Sequence, residues 1–120
     1  TRVAVTPFDS GFRLGSTMEF SGYDTTINQS RLQLLHDGAL PYLRDLGAGP
    51  VEQTWYGWRP MTWDGLPVID RSPAFRNVMI AAGHNMLGLS MAPATGKLVA
   101  ELLNETKPFL DAAPYRASRF

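Results

Sequence analysis

The first stretch suited to ligand chemistry is Gly57-Trp58-Arg59-Pro60-Met61-Thr62, which places a guanidinium among aromatic side chains. Alternation along this stretch predicts an extended, buried strand. An arginine there needs an anionic partner, and its fork of donors matches a carboxylate. Arg59 is therefore a candidate for holding a substrate carboxylate. The alternative is a structural ion pair with Asp64 or Glu52, which composition alone favours because buried charges are usually paired internally.

The second stretch runs from a strand through a glycine-containing turn to a helix N-terminus, over residues 78–90. Gly83, Gly88 and Gly96 permit close approach of the backbone, and the helix N-terminus suits an anionic group. The spacing is not that of a dinucleotide-binding G-x-G-x-x-G, so an ordinary strand-to-helix connection is the alternative. His84 lies at the strand end, where it either contacts a substrate or only hydrogen-bonds the loop. No second ligand at metal spacing accompanies it, so we expect no metal site.

Composition excludes several classes of protein. The chain has 120 residues, enough for one domain with a modest core, and its 11 basic and 11 acidic residues balance. A neutral chain carries no electrostatic footprint for nucleic acid. Cysteine is absent, which excludes disulfides and thiolate chemistry and fits a reducing cytosol. No apolar run approaches the roughly 20 residues of a transmembrane helix.

Hydrophobic periodicity predicts an α+β organisation with antiparallel strands and two principal helices. The final helix is expected to hold Pro93 in its first turn, where a missing N–H costs nothing. The predicted elements are strands over residues 2–6 and 12–20 around a turn at 7–11, a helix from about Ser30 with a Ser30–Gln33 capping box and an end at Pro41, a break at 47–50, an extended segment over 51–61, a turn at 62–65, an extended course over 67–69, a buried strand over 77–82, and a helix from residues 90–93 to about 104.

The two ends of the chain differ in character. The first residues, Thr1-Arg2-Val3-Ala4-Val5-Thr6, have the composition of a strand and include no methionine. The last ten form a Pro/Ala/Ser/Arg tail after a helix stop. We therefore expect a C-terminal segment of a longer protein that keeps its native C-terminus.

The two stretches together resemble the D-amino-acid oxidase superfamily, and within it the branch of D-amino-acid dehydrogenases and glycine oxidases. The resemblance covers essentially the whole chain and is specific for the superfamily more than for the substrate. It rests on the ordered combination of residues 55–69, 77–84, Gly88, 94–97 and the ending 114–120.

The resemblance implies site roles for individual residues. Arg59 matches the family arginine that holds the substrate carboxylate. The segment from Gly83 and His84 to Ser90 matches the loop that passes the flavin ring, with His84 as a second substrate-binding residue. The last helix would direct its N-terminus at the pyrimidine end of the flavin ring. No catalytic acid or base is carried over to this segment. The residues implied to contact the cofactor are Gly57, Gly83, Gly88, Leu89 and Ser90.

The resemblance also implies the function and the domain assignment. Residues 1–66 would belong to a substrate-binding domain, and residues 67–120 to the C-terminal part of a FAD-binding domain whose N-terminal Rossmann portion is absent. The expected reaction is oxidation of D-amino acids or related small amines by hydride transfer from Cα to flavin N5. Oxygen or a quinone would accept the electrons. The expected location is cytoplasmic, with peripheral attachment to the inner membrane as the alternative.

Two alternative functions stay open, a stand-alone module that binds small carboxylates and a non-catalytic subunit of a flavoprotein.

Two departures from the family pattern bear on the substrate. Asp70 stands where the family commonly has glycine, and Asn85 stands where glycine or an aromatic residue is usual.

Overall fold

The computed structural model describes residues 3–15, 17–44 and 49–120. Parts of the first two predicted strands and of the predicted break at 47–50 lie outside these residues. The chain divides into two compact units, Thr1–Trp58 and Arg59–Phe120. Both units combine helix with antiparallel strands, as the α+β prediction required.

The first unit begins with a hairpin of β1, Ala4–Phe8, and β2, Gly11–Gly15. The strands are antiparallel, with Phe8 opposite Gly11 and Ala4 opposite Gly15. Two predictions were wrong here. The first strand continues through Pro7 to Phe8, so the turn is shorter than residues 7–11. The second strand ends at Gly15, the last paired residue, and residues 17–20 are irregular.

Helix α1 spans Gln29–Ala39, and its apolar stripe is less exposed than its other faces, as predicted. The predicted capping box at Ser30 was wrong. Asn28 is the N-cap, and its Oδ1 accepts hydrogen bonds from the N–H groups of Ser30 and Arg31. An asparagine side chain serves this position as well as serine does. The helix stops just before Pro41, as predicted.

The second unit is built on a hairpin of β3, Val68–Arg71, and β4, Met79–Ala82. Helix α2, Gly88–Leu103, packs on β3, and Ile69 and Leu98 form the buried centre. The strand over 79–82 is less buried than predicted, since Ala81 and Ala82 are exposed. The strand lies in a sheet of only two strands, so few neighbouring elements cover its faces.

Helix α2 starts earlier than predicted. It begins at Gly88, after a 3-10 turn over Asn85–Leu87, so Pro93 lies inside the helix and not in its first turn. Two more 3-10 turns, Ala113–Tyr115 and Ala117–Arg119, carry the chain to its end. Within the described ranges no helix is long and apolar enough to cross a membrane, and no cluster of metal-ligating side chains occurs.

Replacing Leu98 with alanine should cost about 2–5 kcal/mol of unfolding free energy, because Leu98 is only 1% exposed and the cavity it leaves cannot fully collapse. Leu89→Ala is the matched control on the same helix. Leu89 is 92% exposed, so its truncation should stay within about 0.5 kcal/mol. Urea denaturation of the two variants measures the difference, and equal losses would contradict the assignment of the core.

Candidate active site

Arg59 opens the second compact unit and is exposed. The prediction of a buried strand over residues 51–61 was wrong, because the whole segment is exposed and outside any regular strand. Within the described part of the chain, Arg59 makes no ion pair and Asp64 pairs with a different arginine. The guanidinium of Arg59 is thus available to a ligand.

The predicted turn after Arg59 is confirmed. Gly65 has φ +75° and donates its N–H to the carbonyl of Thr62 at 3.2 Å. The Leu66 N–H donates to Asp64 Oδ1 at 3.0 Å, and Thr62 Oγ1 donates to the Leu66 carbonyl at 2.6 Å. These bonds close residues 62–66 into a compact loop, called here the 62–66 turn.

Asp64 forms a two-pronged ion pair with Arg119. The Nε of Arg119 lies 2.6 Å from Asp64 Oδ2, and its Nη2 lies 3.1 Å from Oδ1. Hydrogen bonds from Arg119 hold the pKa of Asp64 well below its ordinary value of 3.8, outweighing the opposite effect of desolvation. Arg119 could not be paired with Asp64 from the sequence, because the two lie 55 residues apart and no local pattern links them.

A neighbouring side chain approaches the backbone of Gly83 closely, as the sequence predicts for this glycine. The glycine is buried and has φ +79°, and a Cβ placed on it would lie 2.7 Å from the Thr62 methyl group. Thr62 therefore packs directly on the glycine backbone at the end of β4. The N–H of Asn85 donates to the carbonyl of Pro60 at 3.0 Å. The residue next to Arg59 is thereby joined to the loop that follows Gly83.

Asn85 owes its presence to backbone geometry. Its φ is +55°, a left-handed conformation that asparagine tolerates better than most residues and that glycine also adopts. Its side-chain oxygen is buried and has no hydrogen-bond partner within the described residues. Such an atom commonly marks a ligand site or an unfilled hydrogen-bonding role.

Asp70, the other departure, has a structural role. Its Oδ1 accepts the N–H of Arg71 at 2.8 Å, and its Oδ2 accepts the N–H of Ala117 at 3.0 Å. The carboxylate thus anchors the C-terminal tail to β3, a contact that glycine cannot make.

The ring of His84 faces helix α2. Its Nε2 lies 2.9 Å from Thr95 Oγ1, in a part-buried hydrogen bond across 11 residues. The alternative of a hydrogen-bonding histidine therefore holds in part, with a partner on the helix in place of the loop. A substrate contact by the rest of the ring stays a prediction.

The N-terminus of α2 carries Gly88, Leu89 and Ser90, and no side chain caps it. The helix has 16 residues, long enough for aligned peptide dipoles to favour an anionic group there. Met86, Leu87 and Leu89 around it are exposed apolar side chains. An uncapped N-terminus surrounded by apolar side chains suits a flat ring with a negatively charged edge, so the residues present fit a flavin.

The remaining glycines behave differently from one another. A Cβ on Gly57, in the first unit, would lie 3.3 Å from the ring of Trp55, so this glycine lets the chain lie close over the indole. Its predicted cofactor contact stays a prediction. Gly96 has nothing within 4 Å, so the close approach expected of it is absent from the described contacts.

Comparison with known proteins identifies the family of the chain. Residues 1–102 match the model of the DAO family, described as FAD dependent oxidoreductase. The chain belongs to this family. Membership confirms the resemblance seen in the sequence and FAD as the cofactor of the family.

Individual relatives are similar over nearly the whole chain. It is 34% identical to a D-amino acid dehydrogenase of Granulibacter bethesdensis over 99% of its length, 37% identical to a D-amino-acid oxidase of Bradyrhizobium diazoefficiens over 93%, and 35% identical to a glycine oxidase of Pseudomonas putida over 95%. The chain spans only 27–31% of the length of these relatives.

A solved structure resembles the chain as well. Glycine oxidase from Geobacillus kaustophilus superposes with a TM-score of 0.74 at 26% sequence identity. The match covers 98% of this chain and 32% of that protein. The fold of the chain is therefore one found within a glycine oxidase.

Replacing Gly83 with alanine should destabilise the protein by about 1–3 kcal/mol, through its positive φ and the collision with Thr62. Gly96→Ala is the control, and it should stabilise by about 0.5–1 kcal/mol because the site is open and helical. Adding Thr62→Ser to Gly83→Ala removes the methyl group. The double variant should regain the part of the stability lost to the collision but not the part lost to the positive φ. Denaturation curves measure all three, and a neutral Gly83→Ala would contradict the close packing.

The Asp64–Arg119 pair should lose its contribution only in strong acid. A carboxyl whose folded pKa is depressed stabilises the fold fully above its ordinary pKa of 3.8, and this contribution is lost as the pH falls below that value. The stability difference between wild type and Asp64→Asn should thus be constant above about pH 5 and shrink below pH 3.8. Asp9→Asn, at the β1–β2 turn, is the control. A difference that already shrinks at neutral pH would contradict this assignment.

Proposed function

We propose that this chain is the C-terminal segment of a FAD-dependent oxidoreductase that oxidises D-amino acids or related small amines. Family membership and relatives that carry amino-acid dehydrogenase and oxidase names support the proposal. The low coverage of those relatives supports the view that further protein completes the enzyme. In the parent protein, residues 1–66 belong to the substrate-binding domain and residues 67–120 to the FAD-binding domain.

One contact carries the proposal for the site. The hydrogen bond from the Asn85 N–H to the Pro60 carbonyl joins the backbone beside Arg59 to the loop between β4 and α2. A carboxylate held by Arg59 then lies near the segment that leads to the helix N-terminus. Arginine binds carboxylate through two parallel hydrogen bonds, which fixes orientation as well as charge.

The chain's own residues have distinct tasks in this scheme. Arg59 binds and orients the substrate carboxylate, and His84, held by Thr95, forms part of the substrate pocket. Gly83 and Gly88 would keep the backbone free of side chains beside the cofactor, and Gly57 stays a predicted cofactor contact. The N–H groups near Leu89 and Ser90 would stabilise negative charge on a bound flavin.

A bound flavin would supply the redox chemistry, as acceptor at N5 of the hydride from the substrate Cα. No residue of this segment acts as acid or base in the scheme. Its contribution is binding, orientation and electrostatic stabilisation. The electron acceptor is oxygen or a quinone, and the protein is cytoplasmic or attached peripherally to the inner membrane. Rates with each acceptor and cell fractionation distinguish these cases.

The central test replaces Arg59 with alanine in the full-length protein that contains this chain. The KM for D-amino acids should rise about ten- to hundredfold, as expected when a charged hydrogen-bond partner is lost. The KM for a matched amine without a carboxylate should change little. Arg76→Ala, at another exposed arginine of the same unit, is the control. An unchanged KM for D-amino acids in Arg59→Ala would contradict the assigned role.

The isolated 120-residue chain should neither retain FAD nor turn over substrate, because the ring-facing segment offers no site for the AMP half. Absorbance near the flavin bands after purification measures this directly, with the full-length protein as the positive control. A flavin spectrum from the isolated chain would refute the expectation. Calorimetric binding of small carboxylates that depends on Arg59, without flavin, would favour the stand-alone module.

A further inference from the structure

The last residues of the chain fold back onto the turn beside the candidate site. Arg119 donates to both oxygens of Asp64, and its Nη2 also donates to the Leu66 carbonyl at 2.6 Å. Its Nη1 donates to the Arg116 carbonyl at 3.0 Å, and its guanidinium lies 4.4 Å from the centre of the Phe120 ring. The side chain is only 14% exposed. Such a set of bonds fixes one geometry, since the guanidinium fork is rigid.

The 62–66 turn transmits this contact toward the loop after β4. Arg119 and Thr62 donate hydrogen bonds to the same Leu66 carbonyl oxygen, and this shared acceptor links the guanidinium to the threonine side chain. The methyl group of that threonine packs on Gly83. Displacing the turn would therefore displace the side chain that closes over the glycine.

A second anchor lies on the sheet. The N–H of Ala117 donates to Asp70 Oδ2 at 3.0 Å, and Asp70 pairs with Ile80 in the register of β3 with β4. Strand β4 leads directly to Gly83. The tail thus holds both the turn that packs on this glycine and the sheet from which the glycine emerges.

We infer that the C-terminal tail is a latch and that Arg119 is a positioning residue, which holds the 62–66 turn against Gly83 and so sets the place of Arg59 relative to the loop over residues 84–90. The inference rests on the proposed function for its consequence in catalysis. The latch itself depends only on contacts within the second unit. Arg119 has no contact with substrate in this scheme and acts through Asp64 and Thr62.

The test compares Arg119→Ala, Arg119→Lys and Arg116→Ala in the full-length protein. Arg116 is the matched control, because it is an exposed arginine on the same tail and contributes only its backbone carbonyl to the latch. Lysine keeps the charge of Arg119 but cannot form the two-pronged pair. Asp64→Asn removes the charge of the other partner and replaces one of its two acceptor oxygens with a donor, so it should change exchange in the same direction as Arg119→Ala.

Hydrogen exchange is the first measurement. In Arg119→Ala, amides over residues 60–66 and 83–88 should exchange at least about tenfold faster, while those of α1 and the centre of α2 stay protected. Arg119→Lys should lie between wild type and alanine, and Arg116→Ala should match wild type. Unchanged exchange in both segments, or an equal rise throughout the protein, would overturn the latch, since the second result describes only a global loss of stability.

Kinetics is the second measurement. In Arg119→Ala, KM for D-amino acids should rise about three- to tenfold with a smaller change in kcat, while KM for the amine without a carboxylate stays near wild type. Equal changes for both substrates would overturn the positioning role. Failure of the proposed function is separable, because hydrogen exchange needs no substrate. Loosened segments together with an unaffected Arg59→Ala variant would support the latch and reject the function.

Discussion

The ion pair between Asp64 and Arg119 ties the start of the second unit of this protein to its end, and the latch proposed above depends on it. It joins a turn near the start of the unit to the last residues of the chain, across 55 positions. Its geometry is two-pronged and its arginine is largely covered. A charge-assisted pair of this kind fixes direction as well as distance, so the elements between its ends are held in one arrangement.

The arrangement matters because it surrounds a glycine that permits no side chain. Gly83 turns the chain with a positive φ at the end of β4, and Thr62 occupies the space where a Cβ would lie. Asn85 then continues in a left-handed conformation and binds the Pro60 carbonyl. Two residues with positive φ, separated by His84, thus lead from the sheet to an uncapped helix N-terminus. Glycine adopts such a conformation without strain and permits close approach of the backbone to a ligand.

Many large apolar side chains of the described residues are exposed to solvent. Among the described residues, the buried hydrophobic side chains are Ala39, Ile69 and Leu98, whereas many large ones are exposed. Trp63 is 98% exposed and Leu89 is 92% exposed. Apolar surface of this extent usually marks contact with further protein or a ligand. This exposure agrees with the proposal that the chain is part of a larger flavoprotein. The chain spans about a third or less of the length of its relatives.

The sequence by itself determined the features that arise from neighbouring residues. The Asp-Gly turn at 64–65, the end of α1 before Pro41 and the strand–glycine–helix order over 79–103 follow from turn chemistry and periodicity. The resemblance to the family was also visible in the sequence, in the ordered combination of residues 55–69, 77–84, Gly88, 94–97 and 114–120. Only the tertiary structure decided which charges pair, that Arg59 is exposed, and that the Pro60 carbonyl receives the Asn85 N–H. A pair of residues far apart in the chain leaves no periodic trace, because its partners are chosen by packing and not by local preference.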